Sequence, residues 1–234
     1  MYVTLLHRPN LITMTPKHLL PAILMLFFTF CCKAQNLKDI TLHTSYDKTS
    51  VKAIEFIAGN IAIGITPKGN VKLRPLSNGN FTYWQDLNGD YRNGKLKSID
   101  DTQIDYYDSF SDISITGKLK TIGTITVTYY DKFDGTDNTG RVKSIGNTTI
   151  TYYDKFDGLD NIGKVKSIGN IKIAYYDRFD GTDINGKIKS IGNTAITYYD
   201  RFDGGEITGR IKSVTGHDPH VMIDNGSAAL AVED

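Results

Sequence analysis

Cysteine is almost absent from this chain: two occur in 234 residues, Cys31 and Cys32. Both lie in one apolar segment near the N-terminus, so residues 35–234 contain none and cannot form a disulfide. Residues Phe28 to Phe30, which precede the pair, do not form the Leu-small-small pattern of a lipoprotein signal. We therefore expect a mature chain with neither disulfides nor a lipid anchor.

Long hydrophobic runs are also scarce. The one present, "HLLPAILMLFFTFCC", follows Lys17 and precedes "KAQN". A basic flank, a short apolar run and a small residue at Ala34 predict a secretory signal peptide over residues 1–34, with Met14 favoured over Met1 as the start. The run is too short for a membrane-spanning helix. We expect an exported protein, periplasmic or extracellular, without a membrane span in the mature chain.

The chain has no excess of charge of one sign. It carries 27 Lys and Arg against 26 Asp and Glu, a formal net charge of +1. Removal of residues 1–34 takes away three cations and no acid, which leaves a charge of roughly −2. This balance argues against nucleic acid or an anionic surface as the partner.

Histidine is rare as well. After residue 34 only His43, His217 and His220 remain, and all three lie outside the repeats described below. No serine, cysteine or metal-ligand constellation accompanies them. We therefore expect no catalytic residue, no metal site and no enzyme. An enzyme with a site in the terminal regions is the third-ranked alternative, and it requires His43 and His217 to meet in one pocket.

What the chain does contain is a strict repeat. One unit reads "GKIKSIGNTAITYYDRFDG" from Gly186, and similar units open at a constant step of 23 residues. The opening glycines are Gly94, Gly117, Gly140, Gly163, Gly186 and Gly209. A diverged copy begins near Val71. We expect four regions: the signal peptide 1–34, an N-terminal β cap 35–70, a repeat array 71–216, and a C-terminal cap with a frayed tail 217–234.

Each unit contains two segments rich in β-branched and aromatic residues, separated by two residues such as Gly192-Asn193. This spacing predicts a β-hairpin whose tight turn requires positive φ. A single hairpin cannot bury enough apolar surface to fold alone, so neighbouring units must pair. We predict an all-β protein of tandem 23-residue hairpins with about twelve to fourteen strands.

The two faces of this sheet follow from simple alternation along the strands. One face carries Lys187, Lys189, Ile191, Thr194, Ile196 and Tyr198, and the other carries Ile188, Ser190, Ala195, Thr197 and Tyr199. The residues expected to bury apolar surface are Ile188, Ile191, Ile196, Tyr198, Tyr199 and Phe202. Neither face is purely polar. The sheet is either an extended meander wetted on both faces or a curled, solenoid-like sheet with one face as a core, and we favour the curled form.

The repeat resembles two families of tandem β-hairpin repeats. The YD repeat of RHS-type shell proteins pairs Tyr-Asp with a following Gly-Arg-Leu-like strand, which corresponds to Tyr176-Asp177 and Gly186-Lys187-Ile188 here. The WG-type repeat has a Gly-Lys start and a Tyr-Asp after the turn, as at Gly186-Lys187 and Tyr199-Asp200, but its Trp-Gly is missing. Both resemblances cover only residues 71 to 214. They imply the fold class and no particular activity.

Tyrosine pairs are the first candidate ligand-binding residues. They recur once per unit as Tyr129, Tyr130, Tyr152, Tyr153, Tyr175, Tyr176, Tyr198 and Tyr199. Stacked hairpins would arrange them as two aromatic ladders with rungs roughly 10 Å apart. Such a ladder could bind an extended glycan or peptide by stacking. The alternative is that the tyrosines pack on one another across the sheet.

Acidic residues recur at a spacing of three in the segments between hairpins. The candidates for calcium are Asp154, Asp157, Asp160, Asp177, Asp180 and Asp183. Oxygen-rich turns can hold calcium. The spacing differs from that of an EF-hand, and Asp beside Gly is also what a turn requires.

The regularity of the array decides the functional expectation, because an active site normally interrupts a repeat. We expect an exported, non-enzymatic repeat protein with a binding, adhesion or envelope-scaffolding role. Its partner would be an extended glycan or peptide, or another envelope protein. A calcium-stabilised structural repeat is the second alternative.

Overall fold

The computed structural model describes residues 40–44, 51–66, 70–76, 78–85, 91–219 and 221–224. The predicted signal peptide and the tail 225–234 lie outside these residues. The predicted all-β class is confirmed: the described chain consists of strands and two short 3-10 helices, Thr136–Asn138 and Gly205–Ile207. The strands are β1 Ile40–Thr44, β2 Val51–Ala58, β3 Ile61–Ile65, β4 Val71–Pro75, β5 Phe81–Tyr83, β6 Leu96–Ile99, β7 Thr102–Tyr106, β8 Leu119–Ile122, β9 Ile125–Tyr129, β10 Val142–Ile145, β11 Thr148–Tyr152, β12 Val165–Ile168, β13 Ile171–Tyr175, β14 Ile188–Ile191, β15 Thr194–Tyr198, β16 Ile211–Thr215 and β17 Val221–Asp224.

The smaller sheet joins the two terminal regions. Its strand order is β17-β1-β2-β3-β4. β17 lies parallel to β1, from Ile40 opposite Val221 to His43 opposite Asp224. β4, predicted to open the array at residue 71, pairs instead with β3. The N-terminal and C-terminal segments, expected to form separate caps, thus contribute strands to one sheet. The long sheet begins at Phe81 rather than at Val71.

The long sheet is an antiparallel meander of twelve strands, β5 to β16, in chain order. This number lies within the predicted range, and the sheet is not closed into a barrel. Five complete hairpins stand between the single strands β5 and β16. The hairpin turns have the positive φ that their sequence predicts, for example 55° at Gly169 and 53° at Gly192.

A β-bulge separates each unit from the next. Tyr175 pairs with Ile188 and Ala174 pairs with Ser190, so Lys189 is the extra residue on its strand. The bulge resets the alternation, and Ile188 and Ile191 are both buried, with 4% and 1% of their surface exposed. The prediction that Ile188 lies on the face opposite Ile191 is therefore wrong, because regular alternation fails at the bulge.

One face of the long sheet is a core, which favours the curled alternative over a meander wetted on both faces. The buried residues of both sheets form one apolar cluster, with Phe56 and Ile63 from the smaller sheet and Ile150 and Ile196 from the larger. β3 is buried along its whole length, on both of its faces. On the opposite face of the long sheet, hydroxyl pairs such as Thr151 and Ser167, 2.7 Å apart, link neighbouring units.

Candidate binding surface

Four of the five segments between hairpins begin with a turn of sequence "DKFDG" or "DRFDG" that is closed by its own two aspartates, and the segment at Phe110 has the related sequence "DSFSD". Oδ1 of Asp177 accepts the N–H of Phe179 at 2.8 Å. Oδ2 of Asp180 accepts the N–H of Asp177 at 3.1 Å, and the Asp180 N–H donates to the Asp177 carbonyl at 3.1 Å. Because the two aspartates hold the backbone reciprocally, the residue between them is fixed at the corner of the turn.

A phenylalanine occupies that corner in every complete unit, and its ring lies in solvent. The exposed fractions are 97% for Phe110, 86% for Phe133, 87% for Phe156, 85% for Phe179 and 90% for Phe202. We call these five residues the phenylalanine row. The prediction that Phe202 contributes to the core is therefore wrong, because the aspartate turn directs the side chain away from the sheet.

A cation lies beside most rings of the row. Lys132 Nζ is 5.2 Å from the centroid of the Phe133 ring, Lys155 Nζ is 5.3 Å from that of Phe156, and Arg178 Cζ is 5.2 Å from that of Phe179. The preceding residue supplies the cation in each case. Each of these rings thus has a positive charge near it and an otherwise open surface.

Several carboxylates around the row form ion pairs. Asp180 Oδ1 lies 3.0 Å from Lys189 Nζ, and Asp183 Oδ2 lies 3.1 Å from Arg201 Nε. The equivalent pair of Asp157 and Lys166 is a direct hydrogen bond, which lowers the pKa of the Asp157 carboxyl and raises the pKa of Lys166. The surface between the rings is therefore polar and carries charges of both signs.

The predicted tyrosine ladders interlock instead of standing as two separate rows. The second tyrosine of one unit packs edge to face against the first tyrosine of the next unit, with ring centroids 5.8 to 5.9 Å apart. The pairs are Tyr107 with Tyr129, Tyr130 with Tyr152, Tyr153 with Tyr175, and Tyr176 with Tyr198. Tyr129, Tyr152 and Tyr198 are buried, while Tyr130, Tyr153, Tyr175, Tyr176 and Tyr199 are partly buried.

These contacts agree with the alternative interpretation, in which the tyrosines pack on one another across the sheet. The hydroxyl of the second tyrosine also donates to a backbone carbonyl of the next unit, as Tyr153 does to Ile173 at 2.9 Å. A ligand could stack on a buried ring such as Tyr152 only by displacing its neighbours. The most exposed aromatic rings of the array are therefore those of the phenylalanine row.

The six aspartates considered for calcium lie in these turns and bind protein groups. Asp154 accepts the Phe156 N–H at 2.8 Å, and Asp160 accepts the Arg178 N–H at 3.3 Å. Asp157, Asp177, Asp180 and Asp183 take part in the turn bonds and ion pairs given above. Within the described residues, no three His, Cys, Asp or Glu side chains form a group that could hold a metal ion. Calcium binding stays a prediction.

The histidines weighed for catalysis occupy different environments. His43 is buried in the smaller sheet, with Nε2 3.6 Å from Glu55 Oε1, and Arg74 Nη2 binds the same carboxylate at 2.8 Å. His217 is exposed, and His220 lies outside the described residues. A pocket of about 380 Å³ near the start of the array contains neither: its lining includes Leu73, Tyr106 and Lys118.

Sequence reasoning missed the phenylalanine row, although its signal was present. Phenylalanine recurs at the 23-residue step inside a segment that is otherwise polar, with an aspartate two residues before it and, in four copies, one directly after. In the described part of the chain no helix is long and apolar enough to cross a membrane. Comparison of the chain with protein-family models, with curated proteins and with solved structures gives no match.

Proposed function

We propose that the chain is an exported, non-enzymatic scaffold that binds an extended partner in adhesion or in the cell envelope. The observation that carries the proposal is the phenylalanine row, which repeats the same exposed contact once per hairpin. A partner that meets several units at once gains avidity from contacts that are weak one by one. The partner is an extended glycan or peptide, or another envelope protein.

The regularity of the array supports binding over catalysis. Bulges, turns and tyrosine contacts recur with nearly the same geometry from unit to unit, and none of the repeats holds a histidine. Catalysis needs a singular arrangement of groups around one reacting atom, whereas multivalent binding needs equal groups at equal intervals.

The test uses residues 35–234 and a panel of extended glycans and peptides, each paired with its own short fragments. Immobilised protein should bind at least one long chain, and its affinity should exceed that for the short fragment by roughly a hundredfold or more. The bound chains should be recovered at their original length. Binding that is absent across the panel, or equal for long and short chains, would exclude an extended glycan or peptide as the partner.

A parallel measurement tests the alternative of a calcium-stabilised structural repeat. Excess chelator should leave both the affinity and the melting temperature of the protein unchanged, because the turn carboxylates bind backbone N–H groups and cations. A melting temperature that drops with chelator and returns with added calcium would favour the calcium-stabilised repeat.

A further inference from the structure

The phenylalanine row has no function in the fold. Each ring lies at the corner of a turn, 85 to 97% exposed, and is absent from the apolar core. A single exposed phenylalanine is ordinary, but five at one structural position form a surface feature. The energetic cost of leaving these rings in water would be removed by a partner that covers them.

The spacing of the rings restricts that partner. Equivalent residues are two strands apart, which is roughly 10 Å in a β-sheet. Charged pairs such as Asp180 with Lys189 and Asp183 with Arg201 occupy the surface around the rings. The row is therefore a series of small apolar sites divided by polar groups, and it is not one continuous apolar patch of the kind a protein interface core provides.

Charge and chemistry favour a neutral partner with many hydroxyl groups. Acids and bases alternate around the row, as in the pairs Asp180 with Lys189 and Asp183 with Arg201, so a strongly charged polymer of either sign would meet repulsion as well as attraction. Sugar rings offer flat C–H faces that can stack on an aromatic ring, and their hydroxyls can bond carboxylates and cations. A polysaccharide alternates these two kinds of surface along its length, as the phenylalanine row does.

The twist of the sheet argues against a membrane. Successive strands of a sheet turn by about 20 to 25°, so rings two strands apart point in directions that differ by about 40 to 50°. A flat bilayer would meet only two or three of the five rings, whereas a flexible chain can follow them all.

The position of the row also argues against an extended peptide. Peptides that add to sheets bond the free backbone of an edge strand. The phenylalanine row instead lies in the connections between strands β7 and β16, where the turn aspartates already bond the nearby N–H groups.

We propose that the phenylalanine row binds a neutral, extended polysaccharide, with sugar rings stacked on Phe133, Phe156 and Phe179 and their counterparts. This inference rests on the proposed function and names its partner. Stacking requires the planar ring, so apolarity alone does not suffice.

The experiment compares the unchanged residues 35–234 with three variants by isothermal titration with soluble glucan, mannan, galactan and xylan chains. The leucine variant carries F110L, F133L, F156L, F179L and F202L, which keeps apolar side chains but removes every ring. The tyrosine variant carries F110Y, F133Y, F156Y, F179Y and F202Y, which keeps the rings. A control, Ile113→Ser, removes an exposed apolar side chain near Phe110 without touching the row. Melting curves check that all variants fold.

We expect at least one neutral chain to bind the unchanged protein, the tyrosine variant and the control alike. The leucine variant should bind that chain roughly a hundredfold more weakly, since several stacking contacts are lost together. Polygalacturonate and phosphatidylcholine vesicles should bind none of the proteins.

Two results would overturn the inference and leave the proposed function standing. One is a neutral chain that binds the leucine variant as tightly as the unchanged protein. The other is binding of the unchanged protein to polygalacturonate, or to a peptide of the panel described above, in place of the neutral chains. Binding to vesicles alone, or failure to bind any glycan or peptide, would overturn the inference and would also exclude a glycan or peptide as the partner in the proposed function.

Discussion

The two tyrosines of each unit differ in what they contribute, although they are adjacent in the chain. The first fills the core, as Tyr152 does with 4% of its surface exposed. The second tyrosine contacts the next unit. Its ring packs against the first tyrosine of that unit, and its hydroxyl donates to a backbone carbonyl two strands away. The pair thus couples neighbouring hairpins, none of which could fold alone.

The hydroxyl bond predicts an uneven response to one conservative change. Tyr153→Phe removes the donor to the Ile173 carbonyl and should lower the free energy of unfolding by about 1 kcal/mol. Tyr199→Phe is the matched control, because in the described part of the chain no hydrogen bond is found for the Tyr199 hydroxyl. Urea unfolding of both variants measures the difference. Equal losses would show that the bond does not couple the units.

Buried tyrosines also predict a loss of stability in alkali. Burial raises the pKa of Tyr152 and of Tyr175 well above the ordinary value of 10.0. The unfolded chain then releases these protons first, so the stability is fully present below about pH 10 and is lost as the pH rises toward the folded pKa. The ion pair of Lys166 acts in the same direction, because its partner Asp157 raises its pKa. Burial lowers the pKa of Lys118 and of Lys164, which opposes the trend at these two sites.

Urea titrations at about pH 8 and about pH 11, with tyrosinate absorbance followed in parallel, measure this effect. The urea concentration at the unfolding midpoint should be lower at the higher pH. The absorbance of the core tyrosines should rise together with unfolding. Complete ionisation of the tyrosines in a chain that stays folded would contradict the expected coupling.

At the scale of the element, the hairpin is set by its two-residue turn. Gly169 has φ of 55°, and a Cβ there would lie 3.6 Å from Thr148 Cγ2, which is an ordinary contact. The cost of a side chain at this position therefore comes from the backbone conformation and not from a clash.

We expect Gly169→Ala to lower the free energy of unfolding by roughly 1 to 2 kcal/mol. Gly205, which has no positive φ and open space around its Cβ position, is the control. Gly205→Ala should be neutral or stabilise by a few tenths of a kcal/mol through the unfolded state. Thermal unfolding of the two variants gives the comparison, and a Gly169→Ala protein as stable as the parent would show that the turn tolerates the change.

The sequence predicts those elements whose structure is decided by residues close to them in the chain. The Gly192-Asn193 turn and its flanking strands follow from local chemistry. The bulge at Lys189 does not, because it depends on the register with the preceding unit. The exposure of Phe179 was also missed, since an aromatic residue in a repeat suggests a core until the aspartate turn that holds it is known. The pairing of β17 with β1 links the two ends of the described chain and leaves no local signal.

At the scale of the whole molecule, two kinds of coupling coexist. The hairpins contact mainly their neighbours, so a disturbance in one unit should fade along the array. The smaller sheet differs, because β17 follows the array and β1 precedes it. Stability of the N-terminal strands should therefore depend on residues at the far end of the sequence.

A chain that ends at Pro219 tests this dependence. It lacks β17 but keeps Asp218, whose Oδ2 accepts the Asn193 N–H at 3.4 Å. Without β17, the backbone groups of β1 that it paired are open to solvent, so amides of β1 and β2 should exchange roughly tenfold faster or more. Amides of β10 to β15 should keep their protection, because their neighbours are unchanged. Hydrogen exchange resolved by peptide measures both, and a uniform loss of protection across the two sheets would mean that they unfold as one cooperative unit.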